Sequence, residues 1–159
     1  MYQIVLTTHS YWRWLVLISL LFCITKSIIQ LRRDNPYSNF DVLVRKVTIS
    51  ITHIQLILGF ILYGISPFIK LFFNDISAGL HLREVRFFSI EHSLMMLVSI
   101  VLITIGAVKV KRKNNDSQKH KTILIWFSIA LLIILLNIPW EFSPLVNRPS
   151  FRMLNLQFY

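Results

Sequence analysis

Three histidines stand inside apolar stretches of this 159-residue chain: His9, His53 and His92. An ionisable side chain at membrane depth costs a few kcal/mol on insertion scales, so such residues pair, line a cavity or bind something. A neutral imidazole is a good ligand for haem iron, and two imidazoles on facing helices could hold a haem between them. Arg13 follows His9 by one helical turn and would suit a haem propionate or an acidic partner such as Glu91.

The elements that must position these residues are set by composition. The chain is 55% hydrophobic and 15% charged, with mean hydropathy +0.61 and only four glycines and five prolines. That pattern fits a multi-pass helical membrane protein and excludes an ordinary soluble domain. Four spans are expected, at about 5–29, 42–66, 87–108 and 122–138, giving an all-α integral membrane four-helix bundle over 1–140 and a C-terminal tail over 141–159. Asn35-Pro36, Pro67 and Pro139 supply stop signals. The connection from Phe68 to Arg86 could hold a short interfacial helix. A single cysteine, Cys23, excludes a disulfide and a CxxCH haem attachment, and it reads as apolar filler. The N-terminus, MYQIVLTTHSYWRW, has no basic n-region, so no cleavable signal peptide is expected.

The formal net charge of +10 sits in two clusters beside apolar segments, which suggests a membrane face and not nucleic acid. Lys26 to Lys46 carries five Lys/Arg against two acids, and Lys109 to Lys121 carries six against one. The positive-inside rule places both loops in the cytoplasm and both termini on the outer, periplasmic side. These loops fix topology, with lipid headgroup binding as a secondary role. Tyr11, Trp12, Trp14, Tyr63 and Trp140 gather near the outer ends, while Trp126 lies near the inner end.

Depth follows from a rise of about 1.5 Å per residue. His9 lies seventeen positions before Lys26, and His92 lies seventeen before Lys109. Both fall roughly 25 Å above the inner boundary. His53, seven positions after Lys46, falls roughly 10 Å above it, or nearer the middle if Arg45 and Lys46 snorkel. His9 with His92 is therefore the favoured ligand pair, and His53 with His92 is the runner-up. Around His92, the small Ser99 and Gly106 either permit close packing or leave room for a flat ligand. The plainer reading makes each histidine a hydrogen-bonding group between helices, with Asn137 as further interhelical glue. Met95-Met96 reads as packing, Glu91 as a partner for Arg13, Arg86 or a histidine, and His81 and His120 as solvated boundary residues.

The segments HSYWRW, THIQLILGFILYGISP, RFFSIEHSLMMLVSIVLITIG and IPW together resemble a group of small four-helix bacterial membrane proteins commonly labelled cytochrome b. The resemblance runs through Trp140. It implies a membrane-bound haem b and electron transfer, carried here by His9, His92 and His53, with a quinol or redox protein as partner. The expectation is thus an electron-transfer protein of the bacterial inner membrane with no bond-making catalysis of its own. The competing expectation is a haem-free membrane subunit that scaffolds a larger complex. A proton-linked carrier using Glu91 is the weakest reading, because no span interior carries the Gly/Pro break that transporters use.

Overall fold

The computed structural model describes residues 1–143 together with Val146 and Arg148. The tail expected over 141–159 therefore lies largely outside the described residues. Four helices are long and apolar enough to cross a membrane, as a multi-pass membrane protein requires. They are α1 (Tyr2–Arg32), α2 (Asn39–Ile65), a continuous stretch from Arg83 to Lys111, and a last helix from Asp116 to Asn137. Each matches an expected span, extended by a few residues at most ends. Between the second and third lie α3 (Pro67–Asn74) and α4 (Ile76–His81), where one short helix was expected. The third long stretch comprises α5 (Arg83–Arg86), a π turn (Phe87–Glu91) and α6 (His92–Lys111); the last helix is α7.

The closest packing is between α6 and α7 and between α1 and α2, followed by α1 with α7; α2 meets α6 more loosely. A cluster of Leu20, Cys23, Ile103, Val110, Ile123, Phe127, Ala130 and their neighbours fills the space between α1, α6 and α7. Gly106 lets α6 and α7 approach. A Cβ there would meet Trp126 Cβ at 2.5 Å. Of the two expectations for Gly106, close packing is the one realised. Met96 packs against this core, and Cys23 is buried with its thiol free.

Helix α2 is built the other way round. Its buried residues are Asp41, Arg45, Thr48 and Thr52, whereas Leu43, Val47, Ile54, Ile57, Phe60 and Ile61 are exposed. Positions 41, 45, 48 and 52 share one helical face, so the polar stripe turns inward and the apolar face outward. That inversion suits a helix with lipid on its outer side. Ser38 starts α2 with a capping box: Asp41 N–H donates to Ser38 Oγ at 3.3 Å, and Ser38 N–H donates to Asp41 Oδ2 at 2.8 Å. The other Asp41 oxygen pairs with Lys26. Arg45 Nε donates to the Tyr37 hydroxyl at 3.2 Å, and Arg45 Nη1 donates to the Ala107 carbonyl at 3.1 Å. Burial pushes the Tyr37 phenol above its ordinary pKa, so it remains a neutral hydroxyl.

Candidate functional site

The residues at the chain-terminal end of the helices are placed by three local features. The first is the antiparallel packing of α1 on α2. Trp12 Nε1 donates to the Ile51 carbonyl at 3.0 Å, which fixes the register and brings His9 opposite Gln55 and Gly59. The Gln55 amide nitrogen donates to the His9 carbonyl at 3.1 Å and lies 3.3 Å from His9 Nε2. A Cβ on Gly59 would stand 3.6 Å from His9 Cε1, so the ring faces a stretch of α2 without a side chain.

The second feature is the π turn immediately before His92. Turns of this kind occur mostly as single insertions in α-helices, often at functional sites. Phe87 and Phe88 come from this turn, and their ring centroids lie 5.7 and 6.0 Å from that of His92. The third feature is the end of α7. Pro139 follows it closely, and the last carbonyls of a helix have no partner within the helix. His92 Nδ1 lies 2.9 Å from the Asn137 carbonyl oxygen. A carbonyl only accepts, so Nδ1 carries the proton and Nε2 presents its lone pair. The expected interhelical role of Asn137 is thus carried by its backbone, while its side chain donates to Ile133 O at 2.9 Å within α7.

Arg13 and Trp14 lie against Trp140, just beyond the Asn137 carbonyl that meets His92, so His9, Arg13 and His92 stand toward one end of the helices. Arg13 lies over the rings of Trp14 and Trp140, 5.5 and 5.9 Å from their centroids. Glu91 pairs with Arg86 at 2.8 Å, one of the partners expected for it. His53 is elsewhere. Its Nε2 lies 3.1 Å from Thr104 Oγ1, whose own proton goes to the Ile100 carbonyl at 2.8 Å. Thr104 is twelve residues along α6 from His92, roughly 18 Å. The structure therefore brings His9 and His92 to one end and leaves His53 at a separate level.

Two imidazoles thus lie toward one end of the helices, one of them with its tautomer set by a backbone carbonyl. Two polar atoms beside them, His9 Nδ1 and Gln55 Oε1, are buried and unpartnered. Iron ligation through His9 Nε2 would require the Gln55 amide to move aside, whereas ligation through Nδ1 would use the orphaned atom. No cluster of three or more His, Cys, Asp or Glu side chains suited to a bare metal ion exists among the described residues.

Sequence reasoning missed Gln55 and the Asn137 carbonyl. Gln55 does continue the 41–45–48–52 stripe of α2 by three residues, and that signal could have found it. His120 corrects an expectation. It was read as solvated, but it is fully buried on α7, with its ring centroid 5.0 Å from that of Tyr37 and neither nitrogen hydrogen-bonded. The linker containing Tyr37 folds back over the start of α7, an arrangement that charge counting does not reveal. His81 is exposed, as expected. The described part of the tail contributes one more anchor. Arg148 donates to both Glu84 oxygens, at 3.0 and 2.6 Å, and lies 5.4 Å from the Phe88 ring centroid.

Comparison with family models, with curated proteins and with solved structures finds no match to this chain.

Proposed function

We propose that this protein is a cytochrome b-like electron-transfer protein of the bacterial inner membrane. In this reading the four long helices form a bundle with both termini on the periplasmic side and the basic loops inside. His9 and His92 hold a haem b in the outer half, and Arg13 faces a propionate. Haem supplies a one-electron couple. The chain supplies the ligands, the apolar surroundings set by Phe87 and Phe88, and a surface for a quinol or redox protein. The observation that carries the reading is the His92–Asn137 hydrogen bond, which turns the Nε2 lone pair of His92 away from its own support, with His9 toward the same end of the molecule. A backbone carbonyl behind an imidazole is a common way to orient a metal ligand.

A second reading has a specific observation of its own. Gln55 and the Asn137 carbonyl already give each histidine a protein partner. Such contacts average about 0.6 kcal/mol between membrane helices, enough for a scaffold subunit to use. A reduced-minus-oxidised spectrum of protein purified after expression with ample haem separates the two. The expected result is a b-type α-band that is lost in His9→Ala and His92→Ala and kept in His53→Ala. A colourless protein leaves the scaffold reading. Loss in His53→Ala and His92→Ala, with retention in His9→Ala, moves the ligand pair to the runner-up.

A further inference from the structure

At the basic end, α2 and α6 separate into a groove of about 340 Å³. Its mouth carries Arg45, Lys46 and Lys111, and no acidic residue lines it. Further along the two helices its walls carry the apolar Ile49, Ala107 and Val108 together with Ser50 and Thr104. The helices run antiparallel here, with Arg45 bonded to the Ala107 carbonyl and His53 bonded to Thr104 further in. Lys46 and Lys111 are exposed and make no ion pair among the described residues. This contrasts with Lys26 and Lys119, which are each paired to an aspartate nearby. Arg45 is buried, so its charge is held in place by the Tyr37 hydroxyl and the Ala107 carbonyl.

We infer that this groove is a binding site for an anionic phospholipid. The phosphate sits among Arg45, Lys46 and Lys111, and an acyl chain runs along Ile49 and Val108. The charge selects an anion, and the apolar Ile49, Ala107 and Val108 beside it favour one that carries a hydrocarbon chain. Both features point to the cytoplasmic-leaflet chemistry that basic pockets between membrane helices recognise. The inference rests on the four helices crossing a bilayer and is independent of haem. An occupant here would also fill a contact, between α2 and α6, that is looser than those of α6 with α7, α1 with α2 and α1 with α7.

Native mass spectrometry of the full chain from mixed micelles tests this. The expected result is retention of phosphatidylglycerol over phosphatidylcholine. Lys46→Gln with Lys111→Gln should weaken that retention about thirty-fold, the loss of two lysine–phosphate attractions near a membrane surface. Arg32→Gln with Arg33→Gln removes two exposed basic residues outside the groove and should change retention less than about threefold. Val108→Trp leaves every charge in place, fills the groove and should abolish retention, so the site remains testable if the lysine variant folds poorly. Equal retention of both lipids overturns the proposal. So does an equal loss in the Arg32/Arg33 variant, or displacement of the lipid by inorganic phosphate at matched concentration.

Discussion

Helices α2 and α7 are both long enough to cross a membrane, yet they solve the problem of packing in opposite ways. The inward face of α7 reads Ile123, Phe127, Ala130 and Ile134, all nearly inaccessible. The inward face of α2 reads Asp41, Arg45, Thr48 and Thr52. Lipid tails are as apolar as leucine, so α7 gains little from hiding its hydrocarbon and is held by close van der Waals contact. Gly106 on α6 shows how close: Trp126 occupies the space its Cβ would take. Helix α2 is held by partners it could not find in lipid, because an unpaired polar group there costs several kcal/mol. One interface depends on shape and the other on pairing.

That contrast can be broken in order of expected effect. Phe127 is fully buried, and Phe127→Ala should cost about 3–5 kcal/mol through the cavity it leaves. Unfolding in mixed detergent measures this, and a loss under about 1 kcal/mol would mean α7 is not held by shape. Asp41→Asn comes next. It strands the Lys26 ammonium in a site where the lysine side chain is 17% exposed and should cost about 3 kcal/mol. Adding Lys26→Met should restore most of that stability, because the cost lies in the unpaired charge and not in a void. A double variant as unstable as the single would place Asp41 in the same class as Phe127. Thr52→Val should be the smallest effect, under about 0.6 kcal/mol. Thr52 is as buried as Phe127, but its hydroxyl bonds the Thr48 carbonyl of its own helix at 2.7 Å and holds no second helix.

The long helices were legible because apolar run length alone decides whether a segment can span. That His9 and His92 stand toward the same end was legible because depth is a count along the axis. Rotation about the axis was harder to read. On α6 and α7 both faces are apolar, so the sequence does not mark which side meets a neighbour. The partners of His92 were invisible for that reason, and the burial of His120 because the linker through Tyr37 covers the start of α7. On α2 the stripe through Asp41, Arg45, Thr48, Thr52 and Gln55 does mark the inward side, and it predicts the contact with His9 once it is read as inverted. The short helices α3 and α4 depend on Pro67 and on the Asp75 side chain, which accepts from Ala78 N–H at 2.9 Å. Local capping of that kind is visible only once the boundary residue is known.

The π turn at Phe87–Glu91 has a consequence for how faces are counted along the third long stretch. An extra residue wound into a helix shifts the phase of everything beyond it by about 100°. Residues 83–86 and residues 92–111 therefore keep separate angular frames, although they lie on one continuous rod. A helical wheel drawn across residue 87 would point His92 at the wrong neighbour. Deleting one residue of the turn would bring the two frames back into phase at the expense of the aim of His92, so in this stretch the number of residues carries information that their identities do not.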